Sequence, residues 1–475
     1  MSHAFSTSDA TTRMPEARPR APEPALPGSL PRLLSGVPAA GDALGLDRHL
    51  DVHGTLPRER RRGRRSEHEL IAQVERSGLR GRGGGAFPTG AKLRAVAARR
   101  GRPIVVVNAA EGEPASSKDR VLCELAPHLM LDGAVAAAHA LGAREAIVGV
   151  CESSSAADTL ARASAERGSA DAVQIEISVV PRGYVAGQES ALIAHLNGGP
   201  ALPTFTPPLP FEQGVRRRPT LLSNAETFAN IALIARHGAD WFRALGTTEQ
   251  PGSTLVTLSG PVAAPAVYEI EYGTSLRALI DAAGGLLAPV RAVLLGGYAG
   301  SFLDGALLSD LALSDAQLAP HGASLGAGVV ALLSTDACPV AETARVARWM
   351  AAQSAGQCGP CSHGLPALAG AIAEIAGGVA ADDAGERVRA LGRIVRRRGA
   401  CSHPDGAVRL LLSALEVFGE EFSDHARHGP CERCAVGAEL PLPARQVARA
   451  SSRSNERAAA RSRGLSRERA RAATR

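Results

Sequence analysis

Strand-like runs alternate with stretches of helical spacing over residues 66–196. The run at 103–108 is short, continuous and apolar, and two further strand-like runs lie at 145–150 and 173–180. The helical stretches lie at 66–77, 121–141, 156–166 and 187–196. Uninterrupted apolar runs are typical of strands that are buried on both faces, and the βαβα order predicts a parallel sheet covered by helices.

The pattern changes at about residue 252. Four short β-like runs and one helical stretch at 275–283 predict a small α+β module. The runs lie at 254–259, 267–271, 292–295 and 329–333. From about 340 to 422 the spacing is helical throughout and includes several cysteines. We therefore predict three folded domains, at 66–245, 250–335 and 338–424.

Composition separates the two ends of the chain from this folded part. With 475 residues, 45% of them hydrophobic, the chain is long enough for two or three domains. Its first residues are rich in Pro, Ala and Ser, and its last forty are rich in Arg, Ala and Ser. Low hydrophobicity with high local charge predicts a disordered leader at 1–65 and a disordered Arg-rich tail at 436–475.

Charge and cysteine content narrow the class of protein. The formal net charge is +6, but no aromatic residues interleave the basic blocks, so we expect no nucleic-acid partner. No stretch approaches the roughly 20 apolar residues that span a bilayer, and the N-terminus lacks the features of a secretory signal. We therefore expect a cytoplasmic protein without direct membrane insertion. Eight cysteines in a reducing compartment favour metal or redox chemistry over disulfides.

Residues 78–92 form a glycine-rich loop with two arginines and a terminal lysine, G-L-R-G-R-G-G-G-A-F-P-T-G-A-K. Such a backbone approaches a phosphate closely while the cationic side chains neutralise it. Lys92 and Lys118 are the two lysines among 53 basic residues, which indicates a need for a compact point charge. The loop is neither a Walker A motif nor preceded by a strand, so it predicts phosphate or nucleotide binding without naming the cofactor.

Three further polar stretches follow the loop. N-A-A-E-G-E-P-A-S-S-K-D-R at 108–120 follows the first predicted strand, and open α/β sheets bind ligands at that end. G-Y-V-A-G-Q-E-S-A-L at 183–192 runs into a helix start, which favours anionic ligands. P-T-L-L-S-N-A-E-T at 219–227 offers short polar side chains.

In this order and spacing, the four stretches resemble the flavin- and NADH-binding subunits of respiratory complex I (the 51 kDa or F subunit) and their relatives in hydrogenases and formate dehydrogenases. The family patterns are G-L-R-G-R-G-G-A-G-F-P-T-G-x-K, N-A-D-E-S-E-P-G-x-x-K-D-R, Y-x-C-G-E-E-T-A-L and P-T-x-x-N-N-V-E-T. The resemblance covers about residues 70–422. It implies an α/β Rossmann-like FMN-binding domain, a β-grasp-like (SLBB) α+β domain and a C-terminal helical bundle with a cysteine cluster.

The resemblance also implies which residues bind. The implied FMN contacts are Gly81, Arg82, Gly83, Lys92, Asn108, Glu111, Tyr184 and Asn224. The residues implied to lie near NADH are Phe87, Glu113 and Glu189.

Four departures from the family pattern concern the flavin and dinucleotide sites. Ala110 replaces an aspartate, and Gln188 replaces the first of two paired glutamates. Losing a carboxylate beside the ribose predicts a weaker preference for NADH over NADPH. An Ala-Gly pair of the glycine loop is reversed to Gly85-Ala86, and the aromatic residue expected after Lys92 is absent.

The resemblance assigns an iron–sulfur cluster, a [4Fe–4S] form in the family, to Cys358, Cys361 and Cys401. Ala355 replaces the first cysteine of the family pattern E-S-C-G-x-C-x-P-C, so three of four ligands remain. A three-iron cluster, a four-iron cluster with an outside ligand, and three structural thiols without a cluster all stay open.

A second group of ligand-type residues lies downstream, with His425, His428, Cys431 and Cys434 at intervals of three. It would supply the missing cluster ligand, bind its own metal ion, or belong to a surface tail. Cys123, Cys151 and Cys338 are isolated in the sequence and are expected to be ordinary buried residues.

We expect an electron-input subunit that passes a hydride from NADH to FMN and single electrons through an iron–sulfur centre to a partner. The expected partner is a ferredoxin-like or thioredoxin-like iron–sulfur subunit within a hetero-oligomer, peripheral to a membrane through that complex. The alternatives are an FMN-dependent diaphorase-like enzyme without a working cluster, a degenerate scaffold subunit, and an Arg-rich nucleic-acid binder.

Overall fold

The first sheet has four parallel strands in the order β3-β2-β1-β4. The strands are β1 (Ile104–Ala109), β2 (Glu145–Cys151), β3 (Gln174–Val180) and β4 (Thr220–Asn224). The computed structural model describes residues 30–38, 43–57, 64–152, 154–168, 171–380 and 383–443. The strand order reverses beside β1, where Asn108 and Asn224 stand opposite each other in the register. This reversal places a ligand crevice at the carboxyl ends of β1 and β4.

Nine helices accompany this sheet in the described residues. They are α1 (Leu46–His53), α2 (Arg64–Ser77), α3 (Thr89–Ala97), α4 (Lys118–Leu125), α5 (Pro127–Leu141), α6 (Ala156–Arg167), α7 (Glu189–Leu196), α8 (Pro210–Gln213) and α9 (Ala225–Arg243). Helices α5 and α9 pack together beside β1, and their apolar faces fill the core of this part. The Rossmann-like prediction is confirmed.

The prediction of one continuous helix over residues 121–141 is wrong. The structure has α4 and α5 instead, bent by 94° at Ala126. Pro127 occupies the first turn of α5 and has no backbone N–H to continue the hydrogen bonds of α4, which explains the break. Among the described helices, no single one is long and apolar enough to cross a membrane. The bent pair of α4 and α5 reaches that length and apolar composition only when its two helices are taken together.

The second sheet is mixed, in the order β6-β5-β9-β7-β8. Its strands are β5 (Ser253–Ser259), β6 (Ala266–Glu271), β7 (Val290–Leu295), β8 (Ser301–Asp304) and β9 (Val329–Ser334), and its helices are α10 (Leu276–Ala282) and α11 (Asp315–Leu318). Strands β5 and β9 pair in parallel, whereas β6, β7 and β8 pair antiparallel to their neighbours. This is the predicted α+β module, with β8 as a strand that the sequence pattern did not reveal.

The C-terminal part is helical, as predicted. Its helices are α12 (Pro339–Ala352), α13 (Leu365–Ala376), α14 (Ala384–Val395), α15 (His403–Val417) and α16 (Gly419–His428), with a π-helical turn at Pro360–Gly364. Leucine, isoleucine and alanine from these helices form a core with one face of the second sheet.

The prediction that residues 1–65 form a disordered leader is wrong for its described part. Helix α1 is held there because His49 Nε2 lies 2.7 Å from the buried carboxylate of Asp132. Farther upstream, the backbone N–H groups of Arg32 and Leu33 donate to Glu269 Oε2 at 2.8 and 2.9 Å. These partners lie about 80 and 240 positions away, beyond the reach of local sequence patterns.

The tail prediction at 436–475 is wrong over residues 436–443. Leu440 is buried, and its N–H donates to Glu342 Oε2 at 3.0 Å. Tyr298 donates its hydroxyl hydrogen to the carbonyl oxygen of Pro441 at 2.6 Å. The remainder of the predicted tail, from 444 onward, and residues 1–29, 39–42 and 58–63 of the predicted leader lie outside the described residues.

Candidate functional site

A cavity of about 490 Å³ opens at the carboxyl ends of β1 and β4. Asn108 and Asn224 line it from the ends of these strands, and Glu111 and Tyr184 line it from the following loops. The Asn108 side chain donates to the carbonyl oxygen of Gly187 at 2.7 Å, which fixes the loop before α7 against the sheet. The reversal in strand order thus brings three of the predicted motifs to one place.

The glycine loop forms one wall of the cavity through Gly83, Gly84 and Gly85. Its base is closed because Gly81 N donates to Phe87 O at 2.9 Å. A Cβ added at Gly85 would meet no atom within 4 Å, so the missing side chain leaves open space. Ala86 has φ 45°, in the left-handed region that favours glycine. The reversal of Ala-Gly to Gly85-Ala86 therefore places a side chain at the residue with positive φ, where the family pattern has glycine.

A buried cation, Lys118, lies at the floor of the cavity. Its Nζ lies 2.7 Å from Asp119 Oδ1, 3.0 Å from Glu226 Oε2 and 3.3 Å from Asn224 Oδ1. Burial opposes the charged form, but Asp119 and Glu226 outweigh it and raise the pKa of Lys118 well above its usual value. The ammonium group is therefore a fixed positive charge that holds Asn224 in place.

Arg82 lines the cavity but directs its guanidinium toward the second sheet. Nη1 donates to the Tyr272 hydroxyl at 2.5 Å, and Nη2 donates to the Ser253 carbonyl at 3.0 Å. The predicted FMN contact therefore uses its charge to join the glycine loop to the α+β module.

Glu113 lies where all three parts of the chain meet. Its carboxylate accepts hydrogen bonds from Tyr298 N at 2.8 Å and from the Tyr184 hydroxyl at 3.3 Å. Burial raises its pKa to about 7, although these hydrogen bonds act in the opposite direction. The carboxyl group is therefore poised to change its charge near neutral pH.

Four of the eleven predicted cofactor-binding residues do not line this cavity: Gly81, Phe87, Lys92 and Glu189. Lys92 Nζ instead donates to Glu189 Oε1 at 2.7 Å and to the Leu222 carbonyl oxygen at 3.0 Å. The aromatic side chain of Phe87 is 56% exposed. The other seven line the cavity directly.

The departures Ala110 and Gln188 both lie in the cavity wall. Gln188 caps α7, because its Oε1 accepts from Ala191 N at 3.0 Å and from the Ser190 hydroxyl at 2.7 Å. Its side chain therefore has a structural role at the position where the family pattern has a glutamate.

Sequence reasoning missed the opposite wall of the cavity. Gly296, Ala299 and Gly300 after β7 and Ser324, Gly326 and Ala327 before β9 line it from the α+β module. From the helical part, Cys401, Ser402, His403, Asp405, Gly406 and Arg409 reach the same cavity. The glycine clusters at 296–300 and 322–328 were the available signal.

The three predicted cluster ligands come together beside this wall. Cys361 lies in the π-helical turn, and burial together with the nearby Cys358 and Cys401 sulfurs raises its pKa to about 12. The Cys358 sulfur accepts backbone hydrogen bonds from Ala400 and Cys361, which lower its pKa despite burial. No thiol stands at Ala355. The three predicted ligands are thus neighbouring thiols, one of which, Cys401, also lines the cavity.

The residues fit the groups that the resemblance implies. The cavity volume lies within the roughly 300–1,000 Å³ of small-molecule sites, and the open space at Gly85 is a cradle that a side chain would fill. Three convergent thiols match the donor chemistry of an iron–sulfur cluster with one ligand position open. Together, fold and site define a nucleotide-cofactor flavoprotein with an adjoining iron–sulfur region.

Comparisons with known proteins identify the family. Residues 74–233 match the Nuo51 FMN-binding domain, 255–297 the SLBB domain and 341–425 the NADH-ubiquinone oxidoreductase-F iron-sulfur binding region. An F subunit of the NADH-quinone oxidoreductase of Rhizobium meliloti is 32% identical over 78% of this chain and 91% of the relative. The chain belongs to the family of NADH-quinone oxidoreductase F subunits, and is an oxidoreductase with an FMN-binding domain and an iron–sulfur binding region.

Relatives also occur in hydrogenases. The NADP-reducing hydrogenase subunit HndC of Solidesulfovibrio fructosivorans is 30% identical over 76% of this chain and 77% of its own length. A chain of an NAD⁺-reducing [NiFe]-hydrogenase, in the H2-reduced state, superposes with a TM-score of 0.71 at 32% identity over 76% of this chain. The match spans 63% of that hydrogenase chain.

Proposed function

We propose that this chain is an electron-input subunit, which takes a hydride from NADH at FMN and passes single electrons through an iron–sulfur centre to a partner subunit. The observation that carries the proposal is the shared cavity. Asn108 and Asn224 line it at the strand ends, and Cys401 of the cysteine group lines the opposite wall. One cavity thus connects the nucleotide crevice with one of the predicted cluster ligands, and this proximity favours electron transfer between the two sites.

A flavin bound in this cavity would supply the hydride chemistry and release electrons one at a time. The chain's own residues hold and orient it. Gly83–Gly85 offer backbone against a phosphate, and Lys118 fixes the Asn224 side chain. Glu113, neutral below its pKa of about 7, lets the phosphates of a dinucleotide approach without repulsion.

The finer parts of the proposal concern acceptor, partner and location. We propose a quinone-reducing assembly as the acceptor, in line with the names of several relatives. The partner is a ferredoxin-like or thioredoxin-like iron–sulfur subunit. The protein is cytoplasmic and reaches a membrane through that partner; all eight cysteines are free, in keeping with a reducing compartment.

A second candidate is a diaphorase-like enzyme that uses FMN without a working cluster. Ala355 favours it, because three thiolates leave one iron of a cubane without a protein thiolate. An absorbance spectrum of anaerobically purified protein, before and after NADH addition, separates the candidates. We expect a flavin band that bleaches with NADH, on a broad iron–sulfur shoulder. Bleaching without the shoulder supports the diaphorase, and the absence of flavin contradicts both candidates.

Two matched leucine substitutions test whether the flavin binds in this cavity. In Gly85→Leu the Cβ meets no protein atom within 4 Å and the side chain is added to the cavity wall, so we expect flavin content to fall while the fold remains. Gly370→Leu on the exposed side of α13 also meets no atom within 4 Å and is expected to retain flavin. Equal flavin content in both variants would contradict the placement.

A further inference from the structure

Four metal-ligating side chains converge outside the predicted cluster site. They are Cys338, His425, Cys431 and Cys434, and one ligand atom from each lies within 4.8 Å of all the others. Cys338 and His425 are buried, whereas Cys431 and Cys434 are partly exposed. The sequence-based prediction that His428 belongs to this group is wrong, because His428 is exposed and lies outside it. Its place is taken by Cys338, which was expected to be an ordinary buried thiol.

The distances between these atoms match one small tetrahedral ion. Cys434 Sγ lies 3.4 Å from Cys338 Sγ and 3.8 Å from Cys431 Sγ, and His425 Nε2 lies 3.4 Å from Cys338 Sγ and 3.9 Å from Cys434 Sγ. With Zn–S and Zn–N bonds of about 2.3 and 2.0 Å, a tetrahedron has edges of about 3.8 Å between sulfurs and about 3.5 Å between sulfur and nitrogen. A cubane instead spreads its thiolates over separate irons and requires wider spacing.

The histidine is oriented for metal binding by its second ring nitrogen. His425 Nδ1 lies 3.4 Å from the carbonyl oxygen of Ala376 at the end of α13. A carbonyl oxygen only accepts, so this contact requires the proton on Nδ1 and leaves the Nε2 lone pair facing the three sulfurs. A backbone carbonyl in this position is a common partner of zinc-bound histidine.

The cysteines are held by local backbone structure. Cys338 caps α12, where its sulfur accepts from Ala341 N at 3.4 Å. Cys431 precedes a short 3-10 turn at Glu432–Ala435 that contains Cys434, and Cys434 N donates to Cys431 O at 3.0 Å. The C-x-x-C spacing of this turn is common in zinc sites. The helix start and the neighbouring Arg433 offset the negative charge of three thiolates.

We propose that Cys338, His425, Cys431 and Cys434 form a closed Cys₃His zinc site that is separate from the iron–sulfur region. With four protein ligands and no open position, the site is structural rather than catalytic. Zinc binding displaces the thiol protons and joins the start of α12, the end of α16 and the segment that follows.

The zinc site would anchor the segment 435–443 against the α+β module. Glu439 Oε2 accepts from Ser334 N at 2.8 Å, and Tyr298 donates to Pro441 O at 2.6 Å. Pro441, Leu442 and Pro443 then line a second cavity that also contains Glu113. Metal loss is therefore expected to loosen one wall beside Glu113, in addition to destabilising the helical part.

The first test is metal analysis of the full-length protein and matched variants. We expect about one zinc per chain in the wild type, loss of that zinc in Cys434→Ser and His425→Ala, and unchanged iron in both. His428→Ala, one turn away and exposed, is expected to keep its zinc. Cys361→Ser is expected to lose iron and keep zinc. Loss of iron in Cys434→Ser would instead assign this cysteine to the cluster and overturn the proposal.

A second measurement on the wild type avoids reliance on variants that fail to fold. After exchange of zinc for cobalt, we expect the visible absorption bands of tetrahedral cobalt–thiolate coordination. In the zinc-bound protein, we expect Cys338, Cys431 and Cys434 to be protected from a thiol-alkylating reagent, with the modified cysteines identified by mass spectrometry. A wild-type protein that holds no stoichiometric zinc and yields no such cobalt spectrum would overturn the site. So would a disulfide between any two of its cysteines.

Discussion

The carboxylate of Glu113 accepts a hydrogen bond from the backbone N–H of Tyr298 at 2.8 Å, across the boundary between the Rossmann-like part and the α+β module. The approach is possible because Gly297 lies between them: a Cβ there would come within 2.5 Å of Glu113 Oε2, and φ is +81°. Glu113, which the family resemblance implies to lie near NADH, is thus also part of a domain interface.

Glu113 is expected to make NADH binding depend on pH. Its pKa is raised to about 7 by burial, so the group is neutral below this value and negative above it. The KM for NADH in a ferricyanide assay should rise about 3- to 10-fold as the pH passes through 7, because the carboxylate repels the dinucleotide phosphates. In Glu113→Gln the KM should be flat over this range. An identical pH profile in the variant would refute the assignment.

The raised pKa of Glu113 also predicts how the free energy of unfolding depends on pH. The protein should lose stability as the pH rises, whereas a salt-bridged carboxylate makes a protein lose stability as the pH falls. Between about 4.5 and about 7 the folded protein keeps the proton of Glu113 and the unfolded chain does not. Its contribution is therefore fully present below the unfolded value and is lost as the pH rises through 7. Denaturant unfolding of wild type and Glu113→Gln at several pH values should show the difference between them changing across this window.

The Lys118 network is expected to be far more important for stability than a surface ion pair. Lys118→Met leaves the buried Asp119 without its cation and the buried Glu226 with only the more distant Arg82, which should lower the free energy of unfolding by about 3–5 kcal/mol and reduce flavin content. Arg94→Met breaks the exposed pair with Glu75, which water and salt screen, and should change stability far less. Denaturant titration of both variants makes the comparison, and similar losses would contradict it.

Much of the fold was predictable because its signals are local. The apolar runs became β1, β2 and β3, and the polar residues that follow them, such as Asn108, came together where parallel strands end. The remainder depends on distant partners. Helix α1 is ordered by Asp132, and the cavity's far wall comes from loops such as 296–300, whose glycines look like ordinary turns.

The ligand groups show the same limit. A period of three suggested that His425, His428, Cys431 and Cys434 act together, yet α16 turns His428 to the surface. Cys338 lies 87 positions before His425 and joins it because the start of α12 packs against α16. Lys92, prominent in its motif, forms an ion pair with Glu189 and does not line the cavity, whereas Lys118 does.

Gln188→Glu is expected to strengthen the preference for NADH over NADPH. A glutamate at this position retains a side-chain oxygen for the α7 cap while restoring a negative charge in the cavity wall, which disfavours a 2′-phosphate. The ratio of kcat/KM for NADH to that for NADPH should rise about tenfold, equivalent to about 1.4 kcal/mol. Gln188→Ala, as control, should lose about 1 kcal/mol of stability with the cap and leave the ratio unchanged. An unchanged ratio in Gln188→Glu would contradict the role of this position.

Ala355→Cys is expected to complete the ligand set of the iron–sulfur region. Cys358, Cys361 and Cys401 already stand together, and Ala355 occupies the position of the missing family cysteine. A fourth thiolate should raise the iron content of anaerobically purified protein toward about four per chain and slow its loss to chelators. Ala352→Cys, at the exposed end of α12, adds a thiol outside the group and should leave iron content unchanged. Iron and sulfide analysis with EPR makes the comparison. Equal iron content and identical spectra in the wild type and Ala355→Cys would mean that Ala355 is not the open ligand position.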